Sequence, residues 1–435
     1  VTAAGGVVTE PNKDFDVIVI GGGPAGSTVA SLVAQKSLSV LVLEKDHFPR
    51  FHIGESLLPC DLPIFERLGL DPSAAGFLFK AGAEFLDERI GGHAVYEFAD
   101  ALPGTPTHAF QVDRATFDHW LLERSRALGA VVKYGERVVE ALTPETGGPE
   151  DNVLVRTTAT HATERGVIPD GLYRARYLVD ATGQDAVLGR RGKTTRMIED
   201  FGLGAAFTHW EDLSPEVDHE LCVTARGTIK VLFVDDGWCW AIPLGNRRIS
   251  IGLVSRRRGI KPEWLEETIA ASPFLSRVTR GARQVRKPNL LASWSFHNKK
   301  QHGARWTCTG DSACFIDPVF SSGVSLGMVG AAHVADTLIE AFARDDVSRA
   351  DLMDAHALHM MHAYNTFATL VNSWYHTSLL HTLFFSPEPN LEWKRGLTSI
   401  LAGDVWRDDN AFQTMLLASK RRKKELVPEL VAPAE

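Results

Sequence analysis

The stretch Asp16-Val17-Ile18-Val19-Ile20-Gly21-Gly22-Gly23-Pro24-Ala25-Gly26, with Val40-Leu41-Val42-Leu43-Glu44 after it, decides the fold. Phe15 to Ile20 is a short run rich in Val and Ile, the composition of a parallel strand buried on both faces. Glycines break it, small residues carry a helix to about Ala34, and Leu38 to Leu43 returns as a strand, giving a βαβ unit. Gly21, Gly23 and Gly26 satisfy the GxGxxG spacing. The first makes the tight turn, the second lets backbone approach a pyrophosphate, and the third lets helix pack on strand. Pro24 and Ala25 open the helix, whose unpaired N–H groups face a phosphate. Glu44 ends the second strand, where a carboxylate accepts hydrogen bonds from ribose hydroxyls. Strand, helix, second strand and acid in register make a dinucleotide site, and they suit FAD and NAD alike.

Outward from this unit, Phe51 to Leu70 reads as loop and short helix, and 81–110 as connecting hairpins. Thr116 to Leu128 has a helical apolar rhythm, Val131 to Val139 reads as a strand, and Tyr173 to Val179 leads into the glycine turn Asp180-Ala181-Thr182-Gly183. Between Gly202 and Ser255 the period changes to two, with Ile229, Val231 and Phe233 alternating and then Trp238, Trp240 and Ile242. Asp235-Asp236-Gly237 and Gly245-Asn246 read as hairpin turns, so this is an antiparallel sheet. Trp306 to Gly310 returns to the parallel style, and from Val324 onward the chain is mostly helical, interrupted at Pro387 and Pro389.

The expected fold is therefore α/β: a Rossmann-type nucleotide-binding domain interleaved with an antiparallel β-sheet substrate domain, closed by a helical C-terminus. The division expected is 1–13 as a disordered leader, then 14–90, 108–200 and 300–345 as the nucleotide-binding domain. Residues 91–107 and 201–299 form the antiparallel-sheet domain, and 346–435 the helical C-terminal region.

Composition bounds the function. A chain of 435 residues exceeds one small core and fits a large two-part enzyme. No run approaches the eighteen apolar residues of a membrane span, and Val1 to Lys13 lacks the pattern of a signal peptide. Five cysteines without CxxC spacing argue against a disulfide framework and a zinc site and fit a reducing cytoplasm. A net charge of -8 disfavours nucleic acid as a partner. His356, His359 and His362 recur every three residues, a step that drifts around a helix, and no cysteine or carboxylate set completes a site. They read as surface or interface histidines, and no metal is expected.

Three further segments separate FAD from NAD. Asp180-Ala181-Thr182-Gly183, Gly310-Asp311 with Asp317-Pro318, and Arg114 in Asp113-Arg114-Ala115-Thr116-Phe117-Asp118 resemble flavin-contacting motifs of the class A flavin monooxygenase superfamily. The resemblance implies FAD, with Asp311 near the ribityl chain and pyrophosphate, and Arg114 and Pro318 beside the flavin.

Three more features resemble the flavin-dependent halogenase family. Gly237-Trp238-Cys239-Trp240-Ala241-Ile242-Pro243 matches its WxWxIP signature, and Phe315-Ile316-Asp317-Pro318-Val319-Phe320-Ser321-Ser322-Gly323 its FxxPxxSxG pattern. Lys80, in Lys80-Ala81-Gly82-Ala83-Glu84-Phe85, matches the context of the family's lysine. The physical reading of the indoles is steric, since two residues apart on a strand they share a face and can wall off a flavin; core packing is the alternative. Ser322 and Gly323 begin a helix and present N–H groups to an anion. A lysine in an apolar stretch needs a task or a partner, because a buried ammonium is costly, and Glu84 is the candidate salt-bridge partner.

The resemblance implies an FADH2-dependent halogenase that makes hypohalous acid from O2 and chloride or bromide. Lys80 would then direct that oxidant to an electron-rich aromatic ring. A single dinucleotide fingerprint implies that a separate flavin reductase supplies reduced FAD. The substrate expected is a phenol or pyrrole, free or tethered to a carrier protein, because the substrate-binding insertions of tryptophan halogenases are not found. The basic run Lys420-Arg421-Arg422-Lys423-Lys424 reads as a solvated helix end or a meeting point for an acidic carrier. Two other functions share the fold: a flavin-dependent aromatic hydroxylase and a prenyl-chain reductase. A flavin-binding scaffold without turnover is a third reading.

Overall fold

A computed structural model describes residues 14–145, 148, 151–160, 171–198 and 201–418. The leader at 1–13 and the basic run at 420–424 lie outside the described residues.

The opening strand Asp14–Ile20 is the centre of the first sheet. It pairs in parallel with Val40–Glu44 on one side and Leu172–Asp180 on the other; Val131–Tyr134 and Trp306–Cys308 extend the sheet outward, also in parallel. Val17 and Val19 sit in one core layer and Ile18 and Ile20 in the other, so both faces of the strand are covered. That double burial is why its sequence is continuously apolar. Helix Pro24–Ala34 crosses one face, and helix Ser322–Ala343 packs beside it.

The expected strand from Val131 to Val139 is two strands, Val131–Tyr134 and Glu136–Leu142. Gly135, at φ +71°, turns the chain between them into a left-handed conformation that glycine accepts at least cost. The second strand joins Val153–Ala159 in an antiparallel ribbon on the sheet edge.

The second sheet runs Arg283–Gln284, Gly204–Glu211, Arg248–Ser255, Gly237–Gly245, Ile229–Val234, Gly82–Asp87, Gly92–Glu97. Its pairs are antiparallel except Ile229–Val234 against Gly82–Asp87, which is parallel. Strand Gly82–Asp87 thus belongs to this sheet although it precedes residue 91. Alternation sorts the sheet's faces. Trp238, Trp240 and Ile242 enter the large central core, whereas Cys239 and Ala241 enter a second core under helices Pro262–Ala271 and Pro273–Val278.

Helix Ser322–Ala343 is the one described helix long and apolar enough to cross a membrane, by length and composition. Its apolar length serves burial, because Leu326, Met328, Ala331, Val334 and Leu338 lie inside the main core. Helices Asp354–His376, Leu379–Phe385, Leu391–Leu401 and Ala411–Ala418 close the described chain, with the expected break at Pro387 and Pro389.

The histidines read as surface groups are not all at the surface. His356 is 4 % exposed. His333 lies against both His356 and His359, with ring centroids 5.3 and 4.6 Å apart, and His359 stacks on Trp406 at 4.7 Å. His333, His356 and His359 pack against one another between helices, and Trp406 covers His359. Among the described residues no group of His, Cys, Asp or Glu is arranged to hold a metal ion.

Candidate active site

The glycine turn carries out its separate tasks in sequence order. Gly21 adopts φ +99°, and a Cβ there would meet the Ala181 carbonyl oxygen at 2.4 Å. A Cβ on Gly26 would meet the Gly21 oxygen at 1.9 Å, so this glycine seats the helix on the turn. Gly23 differs, since a Cβ there would meet nothing within 4 Å. Its lack of a side chain answers to no described neighbour in the chain, which is what a surface kept bare for a ligand requires. Pro24 and Ala25 begin the helix at this opening.

Glu44 braces the turn from the second strand. One of its carboxylate oxygens accepts the Gly22 N–H at 2.7 Å and the other the Asp46 N–H at 2.8 Å. Burial pushes this carboxyl above its ordinary value, a cost that hydroxyl donors from a ribose would offset. Asp311 follows strand Trp306–Cys308, where it accepts from Gln184 at 3.2 Å, and burial pushes its carboxyl up to about 6. Gly310 lies against Ala25, with 3.1 Å between the Ala25 Cβ and a Cβ built on Gly310. The fingerprint helix and the Asp311 turn therefore border one cleft.

Arg114 is tied down on several sides. Its guanidinium grips Asp118 with two hydrogen bonds at 2.7 and 3.0 Å and donates to the Ile53 carbonyl at 2.6 Å. Its charge still reaches Asp311, whose carboxyl it draws downward. A bare Gly23, a helix N-terminus, Glu44, Asp311 and Arg114 fit the phosphates, ribose and ribityl chain of FAD.

The loop from Phe315 to Gly323 is held by Asp317, which caps the turn Pro318–Phe320 by accepting the Val319 N–H at 3.0 Å. Ser321, at φ +57°, then reverses the chain into helix Ser322–Ala343. Ser322, Gly323, Phe315, Ile316, Leu326 and Tyr364 line a small cavity at that helix start. The opening N–H groups of the helix give it a positive end.

Trp238 and Trp240 lie side by side with centroids 5.8 Å apart, 1 % and 5 % exposed. Each indole N–H is anchored. Trp238 donates to the Tyr375 hydroxyl at 2.9 Å, and Tyr375 donates to Asp317 at 3.1 Å. Trp240 donates to Ser250 at 3.1 Å, Ser250 to Glu55 at 3.0 Å, and Glu55 meets His209 at 2.5 Å. Gly252 stays a glycine because a Cβ would enter the Trp240 ring at 2.2 Å. Pro243 is buried opposite Ile249, just before the strand's irregularity. The indoles pack in the central core, each held in place by a hydrogen bond from its ring N–H.

Lys80 ends the short strand Leu78–Lys80 and is 1 % exposed. Glu84 is not its partner, because Lys230 takes that carboxylate at 2.8 Å. Lys80 Nζ instead donates to the Leu57 carbonyl at 2.7 Å and stands 5.2 Å from the Phe98 ring. Burial draws its pKa down to about 7, against an opposing pull from Asp61. Such a lysine holds its proton loosely at neutral pH, a property of lysines that do chemistry. Tyr375, Glu55, His209, Asp61 and Ser325 escaped the sequence reading, since their partners lie far along the chain and no local pattern marks them.

With this geometry in place, the chain belongs to the tryptophan halogenase family, whose model matches residues 16–106 and 102–407. It is a flavin-dependent halogenase, using FAD with chloride or bromide. A 1H-pyrrole-2-carbonyl-(peptidyl-carrier protein) brominase of Pseudoalteromonas luteoviolacea is 32% identical over 347 residues, 77% of this chain and 79% of the relative. The corresponding chlorinase of Pseudomonas fluorescens is 28% identical over 426 residues, 91% and 90% of the two chains. Among solved structures, one described as a flavoprotein/dehydrogenase from Cytophaga hutchinsonii matches with a TM-score of 0.82 at 28% identity, covering 93% of this chain and 96% of that one.

Proposed function

We propose that this enzyme halogenates a pyrrole ring presented as a pyrrole-2-carbonyl group on a peptidyl-carrier protein, with Lys80 directing the oxidant. The observation that carries the reading is the Lys80 amine, buried and hydrogen-bonded to the Leu57 carbonyl, with no carboxylate in contact among the described residues. The two relatives that act on carrier-bound pyrroles support the substrate class. Reduced FAD, delivered by a separate flavin reductase, supplies hypohalous acid from O2 and halide when bound.

The chain's own groups then divide the work. Gly21, Gly23, Pro24, Ala25, Gly26 and Glu44 hold the adenosine diphosphate half, while Arg114, Asp311, Pro318 and Gly323 border the flavin half. Ser322 and Gly323 offer N–H groups to the halide at a helix start, where an anion is favoured. Trp238, Trp240 and Pro243 keep the aromatic substrate away from the flavin, so only a small oxidant passes. Residues 14–90, 108–200 and 300–345 supply most cofactor contacts, and 91–107, 201–299 and the helices after 346 shape the substrate side.

The test offers the protein FAD, a flavin reductase, NADH and bromide or chloride. Substrates are pyrrole-2-carbonyl loaded on a carrier protein, free pyrrole-2-carboxylate, phenols and indoles, and products are read by mass spectrometry. The expected product is halogenated carrier-bound pyrrole, and Lys80→Ala abolishes it while leaving FAD bound. Halogenation of a free phenol or indole alone would replace the carrier-bound substrate, and no halogenated product from any of them would sink the reading.

A further inference from the structure

Lys80 is linked through a buried hydrogen-bond relay to a second ionisable group. Asp61 is 1 % exposed; its Oδ2 accepts from the Ser325 hydroxyl at 2.6 Å, and its Oδ1, buried, makes no hydrogen bond among the described residues. The Leu57–Leu58 peptide unit and the Ser325 hydroxyl together link the two residues. The Leu57 carbonyl accepts from Lys80 Nζ at 2.7 Å, and the Leu58 N–H donates to Ser325 Oγ at 3.1 Å.

The surroundings single out Asp61 as the counter-charge. The groups whose charge acts on Lys80 are Asp61 and Cys60. Burial and the neighbouring Asp61 push the Cys60 thiol well up, with Asp404 adding a little, so Cys60 stays neutral. Phe98 contributes only its ring face, and Glu84 is engaged by Lys230.

We propose that Asp61 is the positioning residue that keeps a proton on Lys80, holding Nζ as an ammonium able to donate to the oxygen of hypohalous acid. This rests on the reading of Lys80 given above. The step balances. The aromatic carbon bonds to the halogen as the halogen–oxygen bond breaks, and the departing hydroxide takes the ammonium proton to leave as water. The resulting amine then accepts the ring proton, so that arene and hypohalous acid become haloarene and water with Lys80 restored.

The physical basis is the shared burial of opposite charges. Burial pushes each group toward its neutral form, Asp61 up to about 7 and Lys80 down to about 7, and each charge favours the other. Removing the Asp61 charge therefore moves the lysine's titration to lower pH.

The experiment compares the pH profile of kcat in the holoenzyme and its Asp61→Asn variant. The alkaline limb is expected to move to lower pH, and a limb displaced by one pH unit lowers the ammonium fraction at pH 8 about tenfold. FAD affinity and Tm stay close to those of the parent, and Asp61→Glu moves the limb back. An unchanged profile in Asp61→Asn, with Lys80→Met inactive, overturns the Asp61 role alone. A fully active Lys80→Met overturns the Lys80 reading and this proposal with it. If Asp61→Asn fails to fold, 15N NMR of the parent holoenzyme decides. A Lys80 Nζ titrating near neutral pH together with the Asp61 carboxyl supports the pair, and two independent titrations at ordinary values overturn it.

Discussion

The Trp238 indole N–H donates to the Tyr375 hydroxyl at 2.9 Å, joining the middle of the antiparallel sheet to the end of helix Asp354–His376. Tyr375 passes the connection to Asp317, the residue that caps the turn before the Ser322 helix. The Trp238 strand and the Phe315–Gly323 loop are thus one hydrogen-bonded unit. Trp238→Phe keeps most of the ring and loses the donor. It should cost about 1 kcal/mol in a urea titration, whereas Trp238→Ala, which also opens a cavity, should cost about 3–5 kcal/mol. Equal losses for the two variants would mean that the indole volume contributes nothing.

Two glycines of the fingerprint, Gly23 and Gly26, predict opposite phenotypes. Gly26→Ala places a methyl 1.9 Å from the Gly21 oxygen and should lower Tm and FAD affinity together. Gly23→Ala meets nothing within 4 Å, so the apoprotein should keep its stability to within about 0.5 kcal/mol while FAD affinity falls at least tenfold. A Gly23→Ala protein that binds FAD normally would show that the pyrophosphate does not lie over that residue.

Lys80→Met should make the protein more stable as it makes it inactive. The folded-state pKa of Lys80 is lowered from 10.5 to about 7. Its contribution is therefore favourable above pH 10.5 and lost as pH falls toward 7. At pH 7 the buried methionine should be favoured by about 2 kcal/mol or more, reduced by whatever Asp61 loses with its counter-charge. Denaturation at pH 7 and pH 10.5 checks this, with the difference expected to shrink at the higher pH.

His356 sets part of the acid limit. Burial and the neighbouring histidines lower its pKa from 6.5 to about 3, so it folds neutral. A group lowered in this way stabilises above pH 6.5 and progressively opposes folding as pH drops toward its folded value. His356→Gln should flatten the stability loss between about pH 6.5 and pH 4, measured by urea titrations across that range.

What was legible in the sequence follows from how far each interaction reaches along the chain. The cofactor fingerprint lies within 16–44, and every requirement on Gly21, Gly26 and Glu44 is met by residues of the same turn or of neighbouring strands. The faces of Trp238 and Trp240 follow from strand alternation alone. Asp61 and Ser325, by contrast, are 264 positions apart, and Tyr375 and Asp317 58. An aspartate before Leu62 and a serine within a small-residue helix look ordinary until the fold joins them to Lys80 through the Leu57–Leu58 peptide. The histidines at 356 and 359 misled for the same reason, because their neighbours, His333 beside both and Trp406 on His359, come from other elements.

One turn of helix Ser322–Ala343 carries the candidate halide-binding N–H groups at its start and Ser325, the support of Asp61, three residues later. A displacement of that helix start would therefore move the proposed halide site and the support of the proposed lysine counter-charge together.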